Sequence, residues 1–309
     1  MNFSIIVPTY NRKKLLIKCL NSLINQDYPK QDYAIIVVND GSTDNTENVI
    51  ESLKKKNPNI IYIKIKHSGQ GAARNAGLRR AEGKFIAFTD DDCVVESNWL
   101  KKIDENFKKY DADAVGGSII NPTNRYIAWS QYILNFSSWF PKGKKIFVKD
   151  IPTNNIAYKK SAIKGYFFPE LQSNMVYEDT LYNFSLYKNN KKILFCPGIR
   201  VKHYTWNEGY GLKKFFGIQK KAAIGFALGG YEVHGKTGRI LMNFRFLNLL
   251  APRLIMVFLR CIRQGYFLRF ALCFPLILLG EVYRGIVIFS MNSHYSKDSF
   301  IGTLNSKKS

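Results

Sequence analysis

Acidic residues and cysteines are scarce in this sequence of 309 residues. Asp and Glu number 23 against 46 Lys and Arg, which gives a formal net charge of +23 at pH 7. The five cysteines are odd in number and include no Cys-x-x-Cys pair, which disfavours a disulfide framework or a structural zinc site and favours a reducing compartment. A surface this basic attracts phosphates, so nucleic acid, anionic lipid headgroups and nucleotides are all candidate partners.

Two membrane-related signals are also missing. The first apolar run begins at residue 3 without a preceding signal peptide, so we expect the catalytic part to stay in the cytosol. The apolar runs at 254–259 and 270–280 are shorter than the ~18 to 20 residues of a membrane span. Residues 200–309 hold 17 Lys and Arg against 4 acidic residues. This basic, apolar region is predicted to be helical and to lie on an anionic membrane surface. A spanning hairpin and a buried helical appendage are the alternatives.

The first 120 residues alternate between short β-branched runs and helical periodicity. The runs at 4–8, 33–39, 60–65 and 84–89 are predicted strands with helices between them. Such alternation predicts βαβ units, a mostly parallel sheet, and ligand binding at the carboxyl ends of the strands. The polar clusters TYN, NDGS, HSGQG and TDDDC follow these four strands. We therefore expect them to meet at one edge and form a site.

The triplet Asp90, Asp91 and Asp92 follows a predicted buried strand. An acid-x-acid arrangement suits Mg²⁺ or Mn²⁺, which take one or two carboxylates and complete their shells with water and phosphate oxygens. In an extended segment alternate side chains point the same way, so Asp90 and Asp92 are expected to cooperate while Asp91 points away and matters least. Taken alone, such a triplet is more often solvated than metal-bound.

The stretch GQGAARNAG at 69–77 is close to a dinucleotide-binding fingerprint, because it follows a strand and opens a helix. However, Arg74 stands where the third glycine or alanine belongs, which disfavours a nicotinamide or flavin enzyme. An arginine at a helix start can instead pair with aspartates or reach a nucleotide.

Four further polar residues have an ordinary structural interpretation beside a functional one. Asp40 lies in a predicted turn, yet at a strand end it could accept hydrogen bonds from a base or ribose. Glu178 and Asp179 begin a predicted helix, where acids often interact with the helix dipole. A single histidine such as His203 is usually structural.

Taken in order, six segments resemble the family 2 glycosyltransferases of the GT-A fold. They are SIIVPTYNR, VVNDGSTDNT, GQGAARNAGLRRAEGKFIAFTDDDC, NNIAYKKSAI, YEDTLYNFSLYKNNKKILFCP and VKHY, and they cover roughly residues 3–205. The resemblance implies an α/β, Rossmann-like, mostly parallel sheet flanked by helices, followed here by the basic, apolar helical appendage. It also implies inverting transfer of a sugar from a nucleotide diphosphate donor with a divalent metal, Mn²⁺ or Mg²⁺.

The same resemblance implies roles for individual residues. The residues matched to donor-nucleotide binding are Pro8, Thr9, Tyr10, Asp40, Arg74 and Asp90. Those matched to the metal are Asp92, Asp90 and His203, with Asp92 the direct ligand and Asp90 a ribose or metal partner. Asp179 matches the catalytic base, and Glu178 is expected to position the acceptor.

The expected organisation has a GT-A domain at 1–212 and a helical, membrane-associated region at 213–309. Residues 1–120 would bind the nucleotide sugar and residues 121–212 the acceptor. The QxxRW motif of processive members is missing, since the nearest candidate, QKKAA at 219–223, lacks Arg and Trp. We therefore expect one or a few sugars to be added.

The expected donor is a UDP-sugar and the expected acceptor a glycan or lipid-linked hydroxyl. The reaction would serve cell-surface polysaccharide or glycoconjugate synthesis at the cytoplasmic face of the membrane, with no nucleic-acid partner. A nucleotidyltransferase-like nucleotide-sugar enzyme and a non-enzymatic basic protein that binds nucleic acid or membrane are the alternatives.

Overall fold

The computed structural model describes residues 1–170, 177–204 and 210–294, with side chains throughout except at 226, 228–249 and 291–294. The chain divides into two compact units. The first comprises Met1–Thr123, Ser138–Ser173 and Glu178–Asn207, and the second comprises Asn124–Ser137, Asn174–Tyr177 and Glu208–Ser309.

The first unit is built on one sheet. Its strands are β1 (Phe3–Thr9), β2 (Tyr33–Asn39), β3 (Ile60–Lys64), β4 (Phe85–Phe88), β5 (Cys93–Val95), β6 (Ala114–Ile120), β7 (Ile146–Val148), β8 (Ile156–Lys159) and β9 (Ile193–His203). Their order is β3-β2-β1-β4-β8-β6-β9-β5, and β7 pairs with β9. Strands β1 to β4 pair in parallel, whereas β8 is antiparallel to both β4 and β6. The four strands expected from the sequence thus form the parallel half of a mixed sheet.

The helices are α1 (Lys13–Ile24), α2 (Thr46–Lys56), α3 (Gln70–Arg80), α4 (Trp99–Lys109), α5 (Tyr126–Phe136), α6 (Glu178–Lys188), α7 (Leu212–Gln264) and α8 (Phe267–His294). Every residue of β1 and β2 is buried, as expected for parallel strands covered by helices on both faces. The α/β architecture expected from the sequence is confirmed.

The second half of the sheet contains a close backbone contact between β6 and β9. The pairing register shifts between Gly117 and Ser118, and a Cβ at Gly117 would lie 2.0 Å from the carbonyl oxygen of Ile199. Beside this shift, the buried Asn155 side-chain amide donates to the carbonyls of Ser118 and Ile199 at 2.9 and 3.0 Å. The amide thus satisfies carbonyl groups that the shifted ladder leaves available.

The second unit is helical. Helix α7 ends at Gln264 and is followed by Gly265, whose φ of +78° is the left-handed conformation that glycine adopts readily. Helix α8 then begins at Phe267, so the two helices are joined by a short turn. Within the described residues, the segment Phe267–Ser290 is long and apolar enough to cross a membrane, and half of it is buried inside the protein. The apolar helical region expected at the C-terminal end is therefore present.

Candidate active site

Asp40, directly after β2, holds the loop that precedes α3. Its carboxylate accepts hydrogen bonds from the backbone N–H groups of Ser68 at 2.7 Å and Gly69 at 2.9 Å. The His67 Nδ1 atom lies 2.9 Å from the same carboxylate. Gly69 has a φ of +94°, so the loop conformation favours glycine here. The predicted turn residue therefore joins two of the polar clusters at the sheet edge.

Tyr10 provides an aromatic surface at this edge. Its ring stacks on His67 with centroids 4.0 Å apart and planes inclined by 15°, and its side chain is exposed. Pro8 is buried within β1. The Thr9 hydroxyl donates to Asp91 at 2.7 Å. Among these three sequence-predicted residues, Tyr10 is therefore the one that presents a surface to solvent.

The aspartate triplet is a turn, and this corrects the extended geometry assumed from the sequence. The N–H of Cys93 donates to the Asp90 carbonyl at 3.0 Å, so strand alternation does not govern where the three side chains point. Asp91, expected to point away from the side shared by Asp90 and Asp92 and to matter least, is buried and accepts hydrogen bonds from Thr9 and Arg12. Burial raises the pKa of Asp91 to about 7 although the charge of Arg12 lowers it.

Arg12 contacts two members of the triplet. Its Nη1 lies 3.2 Å from Asp91 Oδ1 and 2.8 Å from Asp92 Oδ2. Arg12 was not identified from the sequence, although its position in PTYNR, three residues after the end of β1, was a signal that could have indicated it. A neighbouring arginine therefore neutralises part of the triplet's charge.

Asp92 also belongs to a group of possible metal ligands. Its Oδ1 lies 3.6 Å from His203 Nε2 and 3.7 Å from Cys93 Sγ, because β5 and β9 pair with Cys93 opposite His203. The candidate ligand atoms of the three residues lie within 4.8 Å of one another, and all three residues are buried. Burial raises the pKa of the Cys93 thiol well above its usual value, and sulfur is a soft ligand that Mg²⁺ and Mn²⁺ favour less than oxygen. The carboxylate and imidazole that remain fit a divalent cation.

Arg74 connects α3 to the start of α6. The buried guanidinium pairs with Asp90 at 3.0 Å on one side and with Glu178 on the other. Burial lowers the pKa of Arg74, but the carboxylates of Asp90 and Glu178 raise it by more. Asp90 therefore faces Arg74 in this structure, while Asp92 faces His203.

Asp179 begins α6 beside Glu178. Its Oδ1 accepts the N–H of Thr180 at 2.8 Å, and its Oδ2 lies 3.4 Å from the N–H of Thr153. Burial and the charge of Glu178 raise the pKa of Asp179 to about 7, against a lowering effect of Arg74. A carboxylate with a pKa near neutrality is suited to act as a general base.

A further carboxylate, Asp150, lies near Asp179 and was not identified from the sequence. It accepts hydrogen bonds from Asn183 at 2.8 Å and Thr180 at 3.1 Å, and its charge contributes to the raised pKa of Asp179. No local motif marks Asp150, since only the fold brings it to the start of α6.

Comparison with known proteins decides the family. The protein-family model described as "Glycosyl transferase family 2" matches residues 4–169. The chain belongs to this family. The matched region includes Asp40, Arg74, Asp90 and Asp92 and ends before Glu178, so the roles of Glu178 and Asp179 remain predictions.

Curated relatives of this family 2 chain include surface-polymer and lipid-linked glycan enzymes. The poly(ribitol-phosphate) β-N-acetylglucosaminyltransferase TarS of Staphylococcus aureus is 31% identical over 213 residues, which is 68% of this chain and 36% of TarS. The chain thus spans about a third of that relative's length. The GalNAc(5)-diNAcBac-PP-undecaprenol β-1,3-glucosyltransferase of Campylobacter jejuni is 28% identical over 233 residues, which is 75% of this chain and 70% of that enzyme.

Solved structures agree on the fold. TarS residues 1–349 in complex with UDP superpose with a TM-score of 0.55 at 22% identity, covering 96% of this chain and 93% of that one. The mannosyltransferase PcManGT of Pyrobaculum calidifontis, in complex with GDP-Man and Mn²⁺, gives a TM-score of 0.61 at 15% identity, covering 93% and 87%. The GT-A fold inferred from the motifs is confirmed.

Proposed function

We propose that this chain is an inverting glycosyltransferase that moves a sugar from a nucleotide diphosphate sugar to a hydroxyl of a glycan or lipid-linked acceptor. The observation that carries the proposal is the buried Arg74, which pairs with Asp90 on the donor side and with Glu178 beside the proposed base. This pairing connects Asp90, to which we assign donor binding, with the start of the helix that carries the proposed base. Family membership supports the same chemistry.

On the donor side, the exposed ring of Tyr10 offers a stacking surface for the nucleobase. Thr9, beside it in the chain, and Asp40 complete the proposed base and ribose site, and Pro8 supports this strand end from within β1. Arg74 supplies a positive charge toward the nucleotide. We favour a UDP-sugar because TarS, a relative of this chain, is known in complexes with UDP and with UDP-GlcNAc.

Asp92 and His203 are the residues that would hold Mn²⁺ or Mg²⁺, with Asp90 as a further metal or ribose partner. When bound, the ion supplies positive charge that neutralises the leaving diphosphate. The donor set of one carboxylate and one imidazole supports this assignment, as does the Mn²⁺ present in the PcManGT structure. Arg12 holds the other Asp92 oxygen and thereby orients the carboxylate.

On the acceptor side, Asp179 would accept the proton of the attacking hydroxyl. Attack on the anomeric carbon from the face opposite the diphosphate inverts that carbon in a single displacement. The raised pKa of Asp179 supports the role of general base near neutral pH. Glu178 is held by Arg74, so we assign it to positioning of the acceptor and of the start of α6 rather than to proton transfer.

We propose that the reaction takes place at the cytoplasmic face of the membrane and adds one or a few sugars during cell-surface polysaccharide or glycoconjugate synthesis. The Campylobacter relative, whose name specifies an undecaprenol-linked acceptor, supports a lipid-linked acceptor. We keep residues 1–212 as the catalytic region, with the nucleotide sugar on 1–120 and the acceptor on 121–212, and residues 213–309 as the membrane-associated region.

The experiment is a panel of UDP-, GDP- and dTDP-sugars scored for release of the nucleoside diphosphate with Mn²⁺, with Mg²⁺ and with EDTA. We expect one donor class to be turned over in a metal-dependent way. Failure to bind or turn over any donor would overturn the proposal. A nucleotidyltransferase would instead convert a nucleoside triphosphate and a sugar 1-phosphate into a nucleotide sugar and pyrophosphate, so parallel samples that contain these two substrates are assayed for pyrophosphate.

A further inference from the structure

Helix α8 exposes a continuous apolar stripe. Its residues are spaced alternately by four and three positions, which places them along one side of a helix. We define the outer stripe as Leu268, Leu272, Pro275, Leu279, Val282, Ile286 and Phe289. All seven are exposed, and Leu268 and Leu272 are exposed by 72% and 66%.

The last turns of α7 also expose apolar side chains. Ile255, Met256, Leu259 and Ile262 are all exposed, and they precede the turn at Gly265 that leads into α8. Soluble monomers rarely expose a contiguous apolar surface of such length, and one that does usually meets a membrane or another protein.

The opposite face of α8 is fixed to α5 along its length. Arg269 donates to Asn124 at 3.0 Å near one end, and Arg284 bonds to Asn135 near the other. Between them, Gly280 lies so close to Leu134 that a Cβ there would be 2.8 Å from the leucine side chain. Fifteen residues of helix separate Arg269 from Arg284, about 22 Å at the usual rise. If helix α8 crossed a bilayer at a steep angle, α5 would have to enter the bilayer as well.

A buried charged group lies on the same inner face. Glu281 is 1% exposed and pairs with Arg253 at 3.0 Å and Arg284 at 3.2 Å. Charged side chains at the centre of a bilayer are costly, so this group favours an inner face that stays within the protein. The apolar stripe is then free to meet the hydrocarbon from one side only.

The positive charge of the region that contains the stripe favours an anionic partner. Residues 250–294 contain five arginines and a single acid, Glu281. Arg253 and Arg284 pair with Glu281, so the positive charge of this surface comes from Arg260, Arg263 and Arg269, none of which is buried. A second copy of the chain would present the same positive charge and be repelled, whereas anionic headgroups are attracted.

We propose that the outer stripe and the last turns of α7 lie flat in the headgroup and acyl boundary of an anionic bilayer, without crossing it. This proposal rests on the membrane location proposed above. It adds which surface of the protein contacts the membrane and how α8 is oriented there. Binding is measured without donor or acceptor, so failure of this proposal and failure of the transferase proposal are distinguishable.

The first test is co-sedimentation of the full chain with vesicles of phosphatidylglycerol and phosphatidylcholine in equal amounts, and with phosphatidylcholine alone. We expect binding to the anionic vesicles and roughly tenfold or greater weakening in the double variant Leu272→Glu and Ile286→Glu, because each change removes an inserted apolar side chain. The matched control is Phe147→Glu, which alters an exposed apolar residue on β7 and should leave binding unchanged.

Unchanged binding of the double variant, or equal binding to neutral vesicles, would overturn the proposal. The proposal would also be overturned if the wild type formed a dimer in solution and did not bind vesicles, while the double variant was monomeric. The stripe would then be an interface between copies.

The second test distinguishes a flat helix from a spanning one. Leu268→Cys and Leu279→Cys are labelled separately with a nitroxide, which is selective because the five native cysteines are buried. The two positions are eleven residues apart, about 16 Å along the helix. Electron paramagnetic resonance accessibility to oxygen and to a polar relaxation agent should give similar, shallow depths for both labels. A label at 279 near the bilayer centre with one at 268 near the surface would overturn the flat orientation.

Discussion

Arg74 and Glu178 form a buried ion pair although 104 residues separate them in the sequence. The pair joins the second turn of α3 to the first residue of α6. Because Asp90 bonds to the same guanidinium, the donor side of the proposed site and the start of α6, which carries the proposed base, share one arginine. Donor and acceptor geometry should therefore be coupled through this residue.

Replacing Arg74 with Met should destabilise the protein by about 3 to 5 kcal/mol, since breaking a buried pair leaves an uncompensated charge at Glu178. The double variant Arg74→Met and Glu178→Met should lose less than the sum of the two single variants. Urea unfolding of the four proteins checks this. Strictly additive losses would show that the pair contributes no coupling energy.

The pH dependence of turnover should reveal the perturbed base. Asp179 accepts a proton only when ionised, so kcat/KM should rise with pH through about 7, the raised pKa of this residue. Glu178→Gln removes a negative charge that raises the pKa of Asp179, and the acid limb should therefore move to lower pH. The surface variant Glu51→Gln, in which an exposed glutamate loses its charge, should leave the profile unchanged. If the acid limb of the pH profile stays in place or moves to higher pH in Glu178→Gln, the assignment of Asp179 as the base is contradicted.

Metal binding should depend on Asp92. Asp92→Asn removes the carboxylate charge that faces His203, and Mn²⁺ affinity, measured by electron paramagnetic resonance without donor, should fall roughly tenfold or more. Asp111→Asn is the matched control, because Asp111 is an exposed aspartate whose partner is Lys192. Equal Mn²⁺ affinity in wild type and Asp92→Asn would remove Asp92 from the metal site.

The backbone contact between β6 and β9 gives a stability prediction. Gly117→Ala would place a Cβ against the Ile199 carbonyl, and a clash with backbone in a packed sheet should cost about 1 to 3 kcal/mol. Gly198→Ala is the control, since no atom lies within 4 Å of the added Cβ. Its unfolding midpoint in urea should stay near that of the wild type. Equal midpoints for both variants would contradict the close approach.

Much of the fold could be predicted because its signals are local. The strands expected at 4–8 and 33–39 correspond to β1 and β2 within a residue or two, since β-branched runs between helical patterns identify buried parallel strands. The pairing of β9 with β5, β6 and β7 could not be predicted. Those contacts join residues far apart in sequence, and no local pattern encodes them.

The candidate site was also predictable only where its signals are local in the sequence. The polar residues at the strand ends were identified, and Asp40 and Arg74 do connect separate clusters at one edge. The geometry of the triplet was wrong because a turn, rather than a strand, follows β4. Asp150 and the partners of Asp91 were missed, since their positions depend on tertiary packing.

The central claim, that Asp179 is the base of a glycosyl transfer, is tested most directly by Asp179→Asn. Donor affinity and transfer to an authentic acceptor should be measured on the same preparations, with Mn²⁺ present. We predict donor binding close to that of the wild type and a loss of transfer of roughly 10² to 10⁴-fold, the usual contribution of a general base. Full transfer activity in Asp179→Asn would contradict the account.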